Sequence, residues 1–167
     1  PAGATLIIVK NEILGKTGRK IPTMLDYNTH ISKDSMFNTP PVFSVYVSML
    51  TLQWIKDHGG IEWIEQVNNQ KAELIYNEID RNPLFEGVAK QEDRSNMNVT
   101  FTLIDATLEK TFNQMWKGVG ISGINGHRSV GGYRASIYNA MPLESVQVLV
   151  DIMKNLENIK NGKNISK

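Results

Sequence analysis

Two arginines, Arg128 and Arg134, bracket the glycine pair in the stretch GHRSVGGYRASIYNAMP, residues 126–142. A guanidinium is a planar fork of donors that matches a carboxylate or a phosphate bidentately and stays charged at any physiological pH. His127 stands beside Arg128 as a further donor, while Gly131 and Gly132 allow a tight turn and let a ligand approach the backbone. Cations in such a setting are solvated, paired, or waiting for an anion. The residues by themselves leave two readings open: an anion site, or a solvated hairpin tip with weak surface ion pairs.

A second stretch, SMFNTPPVF, places Asn38 and Thr39 at a helix start, where unpaired N–H groups and the helix dipole attract phosphate-like anions. Simple capping is the competing reading, and Pro40 and Pro41 favour it by removing two backbone donors. Any phosphate bound there would rely on the Asn38 amide and the Thr39 hydroxyl. No nucleophile stands out elsewhere: there is no serine elbow and no evident carboxylate pair, and Lys10 is the only lysine whose setting invites a Schiff-base reading. His30, His58 and His127 are far apart in sequence, so no spacing indicates a metal site. His30 and His58 read as structural residues.

The elements that must hold these residues follow from periodicity. The run TLIIV near the start is nearly continuous in apolar residues, as in a strand buried on both faces. Such a strand needs neighbours that this chain scarcely offers before Pro40, so the sequence reads as a piece of something longer. Residues 16–39 are rich in loop formers. A helix is predicted from Pro40 to Gly59 with Thr39 as N-cap and Phe43, Val47, Leu50 and Trp54 at helical spacing. A second follows, with Ile61, Ile64, Ala72, Ile75 and Ile79 on its apolar side, ending at NPLF. From Met97 the period becomes two, giving a half-buried strand through Leu103. Asp105 then caps a helix carrying Leu108, Phe112, Met115 and Trp116. Short strands are predicted at 121–124 and 133–138, and Pro142 opens a last helix with Leu143, Val146, Leu149, Val150 and Met153 inward. This is a small α+β layer with helices on one face of its sheet. The tail from residue 159 reads as polar and frayed.

Composition bounds the partners. Lys and Arg number 18 against 17 Asp and Glu, a formal charge of +1, so no global field favours nucleic acid or an anionic membrane. The sequence holds no cysteine, which removes thiolate metal sites and disulfide scaffolds and fits a reducing cytoplasm. No apolar run approaches the ~20 residues of a membrane span.

The strings PAGATLIIVKNEILGK, LDYNTHISKDSMFNTPP, SNMNVTF and GHRSVGGYRASIYNAMPLESVQVLVDIM together resemble the C-terminal half of the phosphoserine aminotransferase family, class-V pyridoxal-phosphate enzymes of fold type I. The resemblance covers nearly the whole chain. It implies an α/β fold, the C-terminal part of the two-domain aspartate-aminotransferase-like architecture. Residues 1–80 would close the large domain, 81–158 would form the small α+β domain, and 159–167 would be the tail. It implies pyridoxal 5'-phosphate as cofactor, amino transfer between glutamate and 3-phosphohydroxypyruvate to give phosphoserine in serine and vitamin B6 biosynthesis, and a cytoplasmic homodimer. Arg134 would bind the substrate α-carboxylate, and His127 with Arg128 the phosphate or distal carboxylate. Asn38 and Thr39 would reach the cofactor phosphate of the neighbouring subunit. The family's Schiff-base lysine would lie upstream of Pro1 and Lys10 would not replace it, so this chain alone is expected to be inactive. Another transaminase of the fold, or a non-enzymatic anion-binding α+β module, are the alternatives.

Overall fold

The computed structural model describes residues 3–127, 129 and 131–162. Arg128 and most of the polar tail lie outside the described residues. The chain divides into two compact units, Pro1–His58 and Gly59–Lys167.

In the first unit, short turns lead to helix α1, Tyr27–Ile31, whose start is capped by the Asp26 carboxylate accepting from the Asn28 N–H. Helix α2 spans Val42–Asp57 with Pro41 as its N-cap and no side-chain cap, which corrects the expectation of Thr39. The expected strand over TLIIV is not formed. A central strand is held by ladders on both sides, and among the described residues no partner strand stands beside it, so Leu6 and Ile8 are left about nine-tenths exposed, at 89% and 91%. The apolar stripe expected to bury α2 is likewise uncovered: Phe43 and Leu50 are exposed, and Ser44 is the one buried residue of the helix. A helix apolar on all sides is built to be enclosed.

The second unit carries the core. Helix α3, Gly60–Arg81, buries Ile64, Ala72, Ile75 and Ile79 as expected. Ile61 departs from the expectation and is exposed, because it lies in the first turn, ahead of the sheet. A three-stranded antiparallel sheet follows, in the order β1 (Phe85–Gly87), β2 (Asn98–Leu103), β3 (Tyr133–Ser136). Strand β1, which the sequence reading did not expect, begins at the last residue of NPLF, and the strand expected at 121–124 is reduced to a single bridge between Asn125 and Tyr133. Helix α4, Glu109–Gly118, is preceded by a turn capped by Asp105, and α5 runs over Leu143–Lys160. Helix α3 packs on β1, β2 and α5, so it belongs with the sheet. The sequence reading ended the first segment later, at residue 80.

The alternation in β2 sorts its two faces. Val99 and Phe101 are fully buried, and Phe101 stacks on Tyr133 with ring centroids 5.3 Å apart while Phe112 meets Tyr133 edge-on at 5.0 Å. Aromatic pairs of this kind add about 0.5–1.5 kcal/mol to the area they bury. Burial pushes the Tyr133 phenol up to about 12, so it stays neutral and donates to Asn113 Oδ1 at 3.0 Å. The other face of β2, with Asn98, Thr100 and Thr102, is only half-buried.

One buried amide ties three elements. Asn82, 1% exposed, donates to Glu78 Oε1 and to the Met153 carbonyl and accepts from the Leu84 N–H. An Asn82→Ala change leaves the buried Leu84 N–H without its acceptor and takes one donor each from the Met153 carbonyl and from Glu78 Oε1, which keeps its bond from Arg81. The expected cost is about 2–3 kcal/mol in denaturant unfolding, with an unchanged m-value.

Candidate functional site

Strand register decides which side chains share a face. Thr100 pairs with Arg134 and Asn98 with Ser136, so Arg134 and Ser136 stand on the half-buried face, opposite the Phe101 core. The chain keeps this alternation past the end of β3: Ile137 donates its N–H to the Met97 carbonyl and is buried, and Tyr138 returns to the outer face and is exposed. Arg134, Ser136 and Tyr138 therefore line one side of the strand.

The polypeptide before β3 doubles back beside Arg134. The Arg134 N–H donates to the Ile124 carbonyl at 2.7 Å, Gly126 N–H to the Gly132 carbonyl at 2.8 Å, and Gly131 N–H to the His127 carbonyl at 2.8 Å. This turn depends on its glycines. Gly132 has φ +66°, and a Cβ there would stand 2.9 Å from the Phe101 carbonyl oxygen; a Cβ at Gly126 would run into the Gly131 carbonyl. His127 is exposed, with its Nδ1 2.8 Å from Ser129 Oγ.

Asn125, Gly126, His127 and Arg134 line an open hollow. Among the described residues no carboxylate pairs with the Arg134 guanidinium. The structure thus brings together two of the three residues expected at the substrate site, and Arg128 lies outside the described residues. An exposed guanidinium held on a sheet, with an imidazole on the same rim, can grip a carboxylate or phosphate bidentately.

Asn38 and Thr39 belong to the first unit and are both exposed on the approach to α2. The Asn38 amide donates to the Thr39 carbonyl at 3.3 Å, and Pro40 and Pro41 offer no N–H. The segment exposes the Asn38 amide and the Thr39 hydroxyl. Lys10 is exposed, 4.0 Å from Glu12 Oε1, and nothing about it resembles a desolvated Schiff-base lysine. His30 and His58 contact backbone carbonyls of Met24 and Trp54 at 2.9 and 2.7 Å, in keeping with structural roles.

Sequence reasoning missed a lysine. Lys71 is fully buried and its ammonium donates to the carbonyls of Ile137 and Tyr138 at 3.0 and 2.8 Å, with the Asn139 carbonyl at 3.5 Å. The signal was present: positions 64, 68, 71, 75 and 79 form one helical stripe, and Lys71 interrupts it in register. The neighbouring Tyr138 was missed as well. Its hydroxyl is hydrogen-bonded by Asn98 and Ser136 and feels the Arg134 charge, which together hold the phenol below its usual value.

The family described as Aminotransferase class-V matches residues 1–149. A phosphoserine aminotransferase of Flavobacterium psychrophilum is 66% identical over 158 residues, which is 95% of this chain and 44% of that protein. Among solved structures, the phosphoserine aminotransferase from Bacillus circulans subsp. alkalophilus superposes with a TM-score of 0.78 at 44% identity, covering 84% of this chain and 39% of that one. A PLP-bound phosphoserine aminotransferase from Trichomonas vaginalis gives 0.73 at 36% identity, covering 80% and 39%. The chain spans less than half the length of each of these relatives. The likenesses agree with the resemblance carried by the GHRSVGGYRASIYNAMP and SMFNTPP strings.

Proposed function

Because this chain belongs to the class-V aminotransferase family, we propose that the whole protein transfers an amino group from glutamate to 3-phosphohydroxypyruvate, giving phosphoserine and 2-oxoglutarate. The fold, a C-terminal segment of the fold-type I architecture, supports this reading. The observation that carries it is the Arg134 guanidinium, exposed and without a carboxylate partner among the described residues, on the rim that His127 shares. Arg134 receives the α-carboxylate common to both amino donors. His127 and Arg128 receive the phosphate of one donor and the distal carboxylate of the other. The non-enzymatic module left open by the residues alone has no support in a chain of this family.

Pyridoxal phosphate, when bound, supplies the electron sink that amino transfer requires. The donors at Asn38 and Thr39 fit its phosphate, since an amide and a hydroxyl precede a helix whose prolines contribute no N–H of their own. They would hold the cofactor phosphate of a neighbouring subunit in a homodimer. The uncovered apolar faces of α2 and of residues 6–8 are in keeping with an assembly larger than this chain. The activity so assigned belongs to serine and vitamin B6 biosynthesis, and the lack of cysteine is in keeping with a reducing cytoplasm.

The direct test supplies the full-length protein with glutamate and 3-phosphohydroxypyruvate and measures both products. Formation of 2-oxoglutarate without phosphoserine would overturn the assignment of substrate. For the cofactor site, the double change Asn38→Ala with Thr39→Ala is expected to speed cofactor loss by at least about tenfold while KM for glutamate moves less than about twofold, because it removes charge-assisted bonds to the phosphate alone. Dialysis followed by cofactor absorbance reads the first quantity, and an unchanged off-rate would count against the role.

A further inference from the structure

Three successive carbonyls converging on one ammonium is not what a strand provides. In an extended chain consecutive carbonyls point to opposite sides, so the turn that brings those of Ile137, Tyr138 and Asn139 toward Lys71 Nζ must be held by something. Lys71 is the holder. It is 0% exposed, and among the described residues no carboxylate pairs with it. A buried charge is costly unless its hydrogen bonds are met, and here backbone oxygens meet them. Burial lowers its pKa from the ordinary lysine value. One turn earlier on α3, Asn68, itself 4% exposed, donates to Asn139 Oδ1 at 2.8 Å. Helix α3 thus grips the segment that follows Arg134 at two adjacent points.

We propose that Lys71 is a positioning residue for the anion site: by tying the carbonyls of residues 137–139 it anchors the chain immediately beyond β3 and so holds in place the strand from which Arg134 projects. The inference rests on the reading that Arg134 receives a substrate carboxylate. Its physical basis is that a binding group is preorganised when the backbone bearing it is held still, and a strand anchored three residues beyond Arg134 loses less freedom when the anion binds. The Tyr138 carbonyl accepts from Lys71 at 2.8 Å. Its phenol, on the strand face that Arg134 shares, is held below its usual value by Asn98, Ser136 and the Arg134 charge, so its titration reports on how this segment is held. Nothing in the arrangement has Lys71 touching substrate, so its effect should appear in binding more than in turnover.

The experiment uses the full-length protein with Lys71→Met, which removes the ammonium and keeps the length. Three quantities are read: KM for glutamate and for phosphoserine, kcat, and the Tyr138 phenol titration by carbon NMR of labelled tyrosine, assigned with Tyr138→Phe. Both KM values are expected to rise about tenfold with kcat changed less than about twofold, and the phenol is expected to titrate at higher pH than in the unaltered protein. A merely structural lysine would lower the melting temperature without moving the phenol or splitting KM from kcat. A folded Lys71→Met protein with unaltered KM and an unaltered phenol titration overturns the proposal. Should that variant fail to fold, Asn68→Ala cuts the adjacent tie without removing a charge. It is expected to raise both KM values about threefold and to move the phenol the same way, and unchanged values overturn the proposal. An Arg134→Ala protein with normal KM would overturn the carboxylate reading instead, and the Tyr138 titration would still decide on Lys71.

Discussion

In the full-length protein, Arg134→Ala is expected to lower kcat/KM for glutamate and for phosphoserine alike, by roughly 30-fold to several thousand-fold, since truncating one member of a desolvated charge pair costs about 2–5 kcal/mol. The equality follows from the shared group: both donors present the same α-carboxylate, so both lose the same bidentate contact. The position favours so large an effect. Arg134 stands on β3 with its N–H fixed to the Ile124 carbonyl at 2.7 Å, so no neighbouring donor can slide into its place without breaking the turn. Arg134→Lys should not restore the rate, because a point charge cannot reproduce the planar fork. Arg128→Ala should behave differently and hurt phosphoserine more than glutamate, since phosphate carries more charge than a distal carboxylate. Separate half-reaction measurements distinguish the two arginines. Equal losses from Arg128→Ala on both donors, or near-normal kcat/KM for Arg134→Ala, would reassign the roles.

What could be read from the sequence divides by how local its cause is. Strand β2 was legible because Val99 and Phe101 alternate with polar residues and bury themselves against helices of the same unit. Helices α3 and α5 were legible for the same reason at a period of 3.6. The failures occur where the deciding contacts are not local. TLIIV carries a strand's composition, and a strand exists only with partners, so Leu6 and Ile8 remain exposed without a ladder. Thr39 carries a cap's composition, yet the chain enters α2 through Pro41. Strand β1 is three residues long and has no alternation to show. Its existence comes from pairing Phe85 with Leu103 and Gly87 with Phe101. The site divides in the same way. Arg134 and the glycine pair announce themselves by type and spacing, whereas Lys71 acts on Ile137 and Tyr138 across 66 and 67 positions of sequence. A lysine on an apolar stripe marks only a contradiction, and the fold supplies its resolution.

The glycines of the turn give the second large effect. At Gly126 the requirement is space: its N–H donates to the Gly132 carbonyl at 2.8 Å, and any Cβ would collide with the Gly131 carbonyl, which is backbone and cannot rotate away. The substitution Gly126→Ala must therefore part the two chain segments. Parting them breaks the Gly126 bond outright and loosens the Asn125–Tyr133 bridge and the Arg134 N–H bond beside it. The tip is exposed and can open by itself, which caps the loss of global stability at about 1–3 kcal/mol. Function has no such cap. The opened tip carries His127 away from Arg134, and misplacement by an ångström in a binding site can cost on the order of a hundredfold. The expected result is a protein that melts a few degrees lower yet loses at least about 100-fold in kcat/KM for phosphoserine. Gly123→Ala is the control. Its φ is +72° but a Cβ there would meet nothing within 4 Å, so only left-handed backbone strain of about 1–2 kcal/mol is added. A Gly126→Ala protein no more impaired toward phosphoserine than Gly123→Ala would show that the close backbone approach does not hold the anion-binding rim in place.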